Sequence, residues 1–397
     1  DQEDGALLLK RGTVLHDRVQ WTNIQNVAID AYGLGAKPII DGSEELTLTW
    51  SAGTDTDIWV DQADVIGGDW GLVLDGIYYH RRSAYADLAD NVQYSQYAYW
   101  YGIGPDNAAA RMYIITPDGA PTDTRYTFLD QNINISISQN AQLKNLECRW
   151  SSITNIWLTD GCPDALVENV HTHQCGNNPS PSGQNGIKFA GASVGDMSTG
   201  VVARNVTSGD LHNANGNAIE LDYMDGMVID NCILEDCSNR NIELWQSCAN
   251  LIVRNTRLSD SLSAIWHHQG GSDTYVNCQY LDNDIDMGLT YDTPTDGGFP
   301  FQLDVTDGTV MTGNTIRVTE NNVLVCTNSV GTYTFSDNRI DVDRVVGFSK
   351  TLIHQPNATF TAMATIASNC YYMRAGTGDM RWTDSGATYV GLPAAQD

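Results

Sequence analysis

VARNVTS (202–208), VIDNCIL (228–234) and IVRNTRL (252–258) carry one pattern three times over: a short segment of β-branched residues, an asparagine, then a second short segment. VENVHT (167–172), TYVNCQY (274–280) and VMTGNTI (310–316) extend it in both directions. The asparagines so placed are Asn145, Asn169, Asn205, Asn231, Asn255, Asn277, Asn314 and Asn338, separated by 24, 36, 26, 24, 22, 37 and 24 residues. A fixed period of this size in short segments marks a solenoid, each turn of chain stacked on the one before. An amide recurring at one position predicts a ladder, with side chains bonded from rung to rung.

Each repeat holds another segment, of the form small or polar–Ile–x–aliphatic: NIWLT (155–159), GIKFA (186–190), AIELD (218–222), NIELW (241–245), AIWHH (264–268) and NVLVC (322–326). Alternation along a strand predicts Ile156, Ile187, Ile219, Ile242, Ile265 and Val323 inside. The positions between them then form two columns facing solvent. One reads Trp157, Lys188, Glu220, Glu243, Trp266; the other reads Thr159, Ala190, Asp222, Trp245, His268. His267 points inward by the same rule. The two long gaps contain the Gly/Pro-rich stretches GNNPSPSGQ (176–184) and TPTDGGFPF (293–301), which are expected to wall a groove beside Glu220 and Glu243.

Helix-period patterns are nearly absent after residue 130, so the class is all-β. The 397 residues read as one elongated domain. Opening rungs are expected at 1–77, a Tyr-rich insertion and connecting segment at 78–130 with a short helix near 82–92, regular rungs at 131–345, and C-terminal rungs or a cap at 346–397. Lys plus Arg number 21 against 49 Asp plus Glu, a net charge of −28, which excludes nucleic acid as the expected partner because phosphate binding needs clustered cations. Such acidity suits a secreted protein in salty water or with bound divalent cations. No run of 18 apolar residues predicts a membrane span. The opening DQEDGALLLKRG is not a secretory leader, as expected of a mature or trimmed start. None of the nine cysteines form a CxxC pair, which argues against structural zinc. Cys232 and Cys278, each directly after a ladder asparagine, are expected to be buried thiols.

AYGLGAKPIIDG (31–42), LDGIYYHRRS (74–83) with MYIITPDGAPTD (112–123), and the asparagine-bearing rungs together resemble the right-handed parallel β-helix proteins that act on polysaccharides: lyases, hydrolases and phage tailspike depolymerases. The resemblance implies a right-handed parallel β-helix, a polysaccharide partner, and a secreted or virion-associated location. It implies a monomer, or a homotrimer on the tailspike pattern. The aspartate-rich signature of pectin hydrolases and the DPHE-like motif of alginate epimerases are not found, so those activities are not expected.

Glu220, Asp222 and Glu243 are the leading candidates for chemistry. Rungs about 4.8 Å apart and same-face residues about 6.8 Å apart place Glu220 and Glu243 at roughly 5 Å and Asp222 and Glu243 at roughly 8 Å. The first spacing suits a retaining glycosidase pair and the second an inverting one. The same three acids also suit a Ca²⁺ ion. A rival set for β-elimination is Lys188, Arg240 and His268 as proton-transfer or charge-neutralising groups; proteins of the resembled kind often pair a Lys and an Arg with calcium. His171, His173 and His212 form a further candidate metal set. Trp157, Trp245, Trp266 and Tyr223 are expected to bind sugar faces. The favoured expectation is an endo-acting glycoside hydrolase that needs no cofactor. The alternatives are a calcium-assisted polysaccharide lyase and a non-catalytic glycan-binding adhesin.

Overall fold

The computed structural model describes residues 5–390 except 22–25, 48, 56, 62–71, 75–76, 82–84, 87–97, 106–109, 117–124, 130–132, 139, 152, 160, 176–183, 212–215, 269–272, 288–298, 305, 320–322, 327–330, 344–350, 356–363, 374–380 and 385–386. The chain winds as a coil through three long parallel sheets of 11, 11 and 12 strands, plus a short one of 5. One turn shows the path: Val202–Arg204 in the first sheet, Thr207–Gly209 in the second, Gly216–Asp222 in the third, Met224–Asp225 in the fourth, then Val228–Asp230 back in the first. Only the last strand of the third sheet, Ala387–Val390, turns back antiparallel.

Register is kept rung after rung, so like residues stack on like. Ile135, Ile156, Ile187, Ile219, Ile242, Ile265 and Phe301 are successive partners in the third sheet. All are fully buried, each stabilising the coil by roughly 1.5–3 kcal/mol. Leu324, not Val323, continues this column beyond Phe301. Val323 is buried next to it, inside as expected, so two successive residues face the core there. Cys232 and Cys278 lie in the core as expected, and none of the described cysteines is in a disulfide.

The eight asparagines occupy three structural positions rather than one. Asn145, Asn169, Asn205, Asn231 and Asn255 follow first-sheet strands with φ between 51 and 58°. Asparagine tolerates this left-handed turn better than most residues. Their amides form an outer stack, with Asn169 donating to Asn145 (2.6 Å) and Asn231 to Asn205 (2.7 Å). Asn277 sits at a different left-handed corner, after the fourth sheet, and donates to Asn250. In the later rungs Asp282, Gly313 and Asp337 take the first-sheet corner. Asn314 and Asn338 stand one residue further on and point inside, stacked with Asn283 and Asn369. The second long gap shrinks accordingly, because equivalent residues Asn283 and Asn314 are 31 apart.

An eight-stranded, mostly antiparallel sheet spans Ser43–Thr47 to Arg125–Leu129. It leaves the coil at Ser43, earlier than the expected boundary at Tyr78, and the coil then resumes with Ile133–Ser138 paired directly to Val19–Trp21. Tyr113 is buried in a small core with Ile58, Val60 and Ala98, with the Tyr85 and Trp100 rings packed against it. These aromatics are spent on packing the insertion. Of the expected helix at 82–92, only Tyr85 and Ala86 are described, in helical conformation.

Candidate active site on the third sheet

The expected column forms as read: Trp157, Lys188, Glu220, Glu243, Trp266 and Gln302 are successive register partners. Its environment differs from the expectation. Glu220, Asp222 and Glu243 face away from the coil interior, yet they are only 3, 9 and 2 % exposed. Side chains of opposite charge lie against them in place of water.

Lys188 Nζ bridges Glu220 Oε1 (2.5 Å) and Asp222 Oδ2 (2.8 Å). Arg240 Nη1 donates to Glu243 Oε1 at 3.0 Å, while its guanidinium carbon lies 2.9 Å from the centroid of Trp266. Asn217 Nδ2 joins the two glutamates, 2.5 Å from Glu243 Oε2 and 3.5 Å from Glu220 Oε2. His268 Nδ1 stands 3.8 Å from Glu243 Oε1, with its ring 3.8 Å from that of Trp245. The six expected catalytic residues therefore meet in one cluster, with Trp245 and Trp266 against it. Asn217 was not expected. Strict alternation puts it on the same side as Ile219, but Ala218 and Ile219 both face the core, and the parity break releases the Asn217 amide to the carboxylates.

Two cations face three carboxylates, leaving one negative charge in excess in a buried place. Burial favours the neutral acid. It raises the Glu220 pKa, opposed by Lys188 and reinforced by the charges of Asp222 and Glu243. Asp222 is raised for the same first reason, against Lys188. Burial alone would lower Lys188, but Glu220 and Asp222 outweigh it and keep the ammonium charged. Arg240 is lowered from its ordinary value by burial, against the pull of Glu243.

Several polar atoms here have no hydrogen-bond partner among the described residues. They are Asp222 Oδ1, the indole nitrogens of Trp157 and Trp266, and His268 Nδ1. Buried polar groups are rarely left so. Trp245 is the exposed aromatic of the group at 39 %; Trp157 and Trp266 are half-buried edges. Tyr223 is half-buried at a left-handed corner. Gln246 is oriented so that its nitrogen donates to Tyr223 Oη (3.0 Å) and its oxygen accepts from Trp245 Nε1 (3.1 Å), because the reverse orientation would set like against like. That amide fixes both rings.

His267 points inward as expected, fully buried and 2.7 Å from Tyr280 Oη, and burial lowers its pKa to about 3. It is a neutral core residue. His171 and His173 lie on the second sheet, away from the carboxylates. His212 lies outside the described residues, as do 176–183 and 293–298 of the expected groove walls; Gln184 and residues 299–301, the remainder of those walls, belong to strands of the third sheet.

The sequence matches a family described as the right handed beta helix region over residues 195–351. The fold is a right-handed parallel β-helix. Solved structures of similar fold include a complex of XylC with xylose, 11 % identical, with a TM-score of 0.55 over 88 % of this chain and 64 % of that one. The β-helix thus spans just under two thirds of the XylC chain. PfbA, a surface adhesin of Streptococcus pneumoniae, is 10 % identical with a TM-score of 0.51, over 97 % of this chain and 80 % of that one. No curated protein sequence matches. Among the described residues, no helix is long and apolar enough to cross a membrane.

Proposed function

We propose that the β-helix is an endo-acting glycoside hydrolase of an extracellular polysaccharide, with Asp222 as general acid and Glu243 as the carboxylate opposite it. The observation that carries this reading is the half-engaged Asp222 carboxyl. Lys188 holds Oδ2, Oδ1 is unpartnered, and burial favours the protonated form. A proton on Oδ1 has no competing acceptor among the described residues, and in this reading it passes to a glycosidic oxygen as the bond to the anomeric carbon breaks.

Glu243 accepts from Arg240 and Asn217, which hold it in place. It lies one rung over and two residues back from Asp222, a diagonal of about 8 Å, which leaves room for a water that Glu243 would activate on the opposite sugar face. The expected outcome is thus inversion. Glu220, with both oxygens engaged, positions Lys188 and supplies charge. Trp245 and Tyr223 offer flat surfaces to flanking sugars.

The rival β-elimination would need Lys188 to give up a proton, and its two carboxylate partners favour the charged form. Calcium has no part in this proposal. Lys188 and Arg240 already pair with the three acids, and an ion seeking six to eight oxygens would have to displace both. Incubation with neutral and acidic polysaccharides should release reducing ends of inverted configuration, unaffected by chelator. Ultraviolet absorbance from an unsaturated product would sink the hydrolase in favour of a lyase; tight binding with no cleavage of any glycan would make the protein an adhesin.

A further inference from the structure

A second cluster lies on the second sheet, on residues the proposed hydrolase does not use. His171 and His173 alternate along one strand and therefore share a face. Their rings stack at 4.4 Å and 15°. Glu147 is the register partner of His171 on the preceding rung, and its Oε1 lies 3.1 Å from His173 Nε2. One ligand atom from each of the three falls within 4.8 Å of the others.

We propose that Glu147, His171 and His173 bind a divalent transition-metal ion of the zinc, nickel or copper type. Bonds of about 2.0–2.2 Å to two imidazoles and a carboxylate require donors about 3.3 Å apart, which small rotations of these side chains supply. Two imidazoles with one carboxylate select borderline ions over calcium or magnesium, which prefer all-oxygen sets. Three protein donors leave a fourth position for water or a ligand.

On the next rung the register partners of His171 and His173 are Thr207 and Gly209, and Glu235 packs against Gly209. Arg149, the partner of His173 on the preceding rung, is held away by Asp41 at 2.9 Å and lies over the Trp150 ring. Lys37 and Asp210 bring opposite charges to bear on His171.

The test is calorimetric titration of the metal-free full chain with Zn²⁺ in excess Ca²⁺, with Co²⁺ as a spectroscopic probe. One equivalent of zinc should bind and raise the melting temperature, and cobalt should give the visible absorption of a site with nitrogen donors. H171A, H173A and E147Q should each weaken binding by about tenfold to a hundredfold or more. E243Q and H268A should leave it unchanged. The proposal is overturned if wild-type protein binds no zinc stoichiometrically, or if binding survives the H171A/H173A double replacement. Should a histidine variant fold poorly, H173N decides by the same criterion, since it keeps the size and polarity of the side chain but not the imidazole donor.

Discussion

Two buried polar stacks run through this β-helix, and they differ in what they leave over. Inside the coil, Asn314 gives its two amide protons to Tyr280 O and Asn338 Oδ1, while its own Oδ1 accepts from the backbone and side-chain amides of Asn283. Asn338 repeats the pattern with Met311, Asn369 and Asn314. Every donor and acceptor is used, at 2.9–3.0 Å. On the outer face of the third sheet, equally buried carboxylates leave Asp222 Oδ1 and two indole nitrogens unused. A closed network of this kind holds a fold, whereas an open one keeps donors and acceptors that the proposed substrate would satisfy.

The largest way to break the comparison is at the open stack. Asp222→Asn or Glu243→Gln should lower polysaccharide cleavage by about 10²–10⁴ while the coil stays folded. Reducing-end assays beside calorimetry check this. The pH profile carries a sign: the acid must be protonated, so cleavage should fall as pH rises through the Asp222 pKa, which burial lifts from its ordinary value. Activity that instead rises through that range would remove Asp222 from the role.

Lys188→Met strips the cation from two buried carboxylates and should cost about 3–5 kcal/mol at neutral pH. Without Lys188 the Glu220 and Asp222 pKa values rise further, since the ammonium lowers both. The loss should therefore shrink as pH falls and the pair takes up protons. Urea melts at neutral and mildly acidic pH would show it. A loss equal at both would mean that the carboxylates are not the cause.

Asn314→Ala opens the closed stack, stranding buried groups of Asn283, Asn338 and Tyr280. A cost of about 1–3 kcal/mol per stranded group bounds the effect from below. Cleavage at the third sheet should be retained by whatever fraction stays folded, measured well below the melting transition.

The outward column was legible because stacking in register turns a sequence period into a neighbour list. Lys188, Glu220, Glu243 and Trp266 could be aligned without knowing any distance. Their burial was not legible, since it depends on long cationic side chains folding back over them. The asparagine series misled by one residue at Asn314 and Asn338 and by a whole corner at Asn277. A left-handed corner and the inward position after it both favour a small amide, and spacing alone does not separate Asn255 from Asn314. The same register could have found Glu147, which follows Asn145 by two residues as His171 follows Asn169.

The smallest effect tests that distinction directly. Asn205 sits at the outer corner with φ 52°, exposed, and accepts one bond from Asn231. Glycine adopts this backbone without steric cost but loses the amide and adds freedom to the unfolded chain. Asn205→Gly should therefore cost less than about 1 kcal/mol. Asn205→Val should cost more, because a β-branched residue adds roughly 1–2 kcal/mol of left-handed strain. At Asn314, by contrast, backbone freedom cures nothing, so glycine should be no better than alanine. If Asn205→Gly destabilises as much as Asn314→Ala in parallel denaturant melts, the outer stack is as essential as the inner one, and corner geometry is not what selects asparagine there.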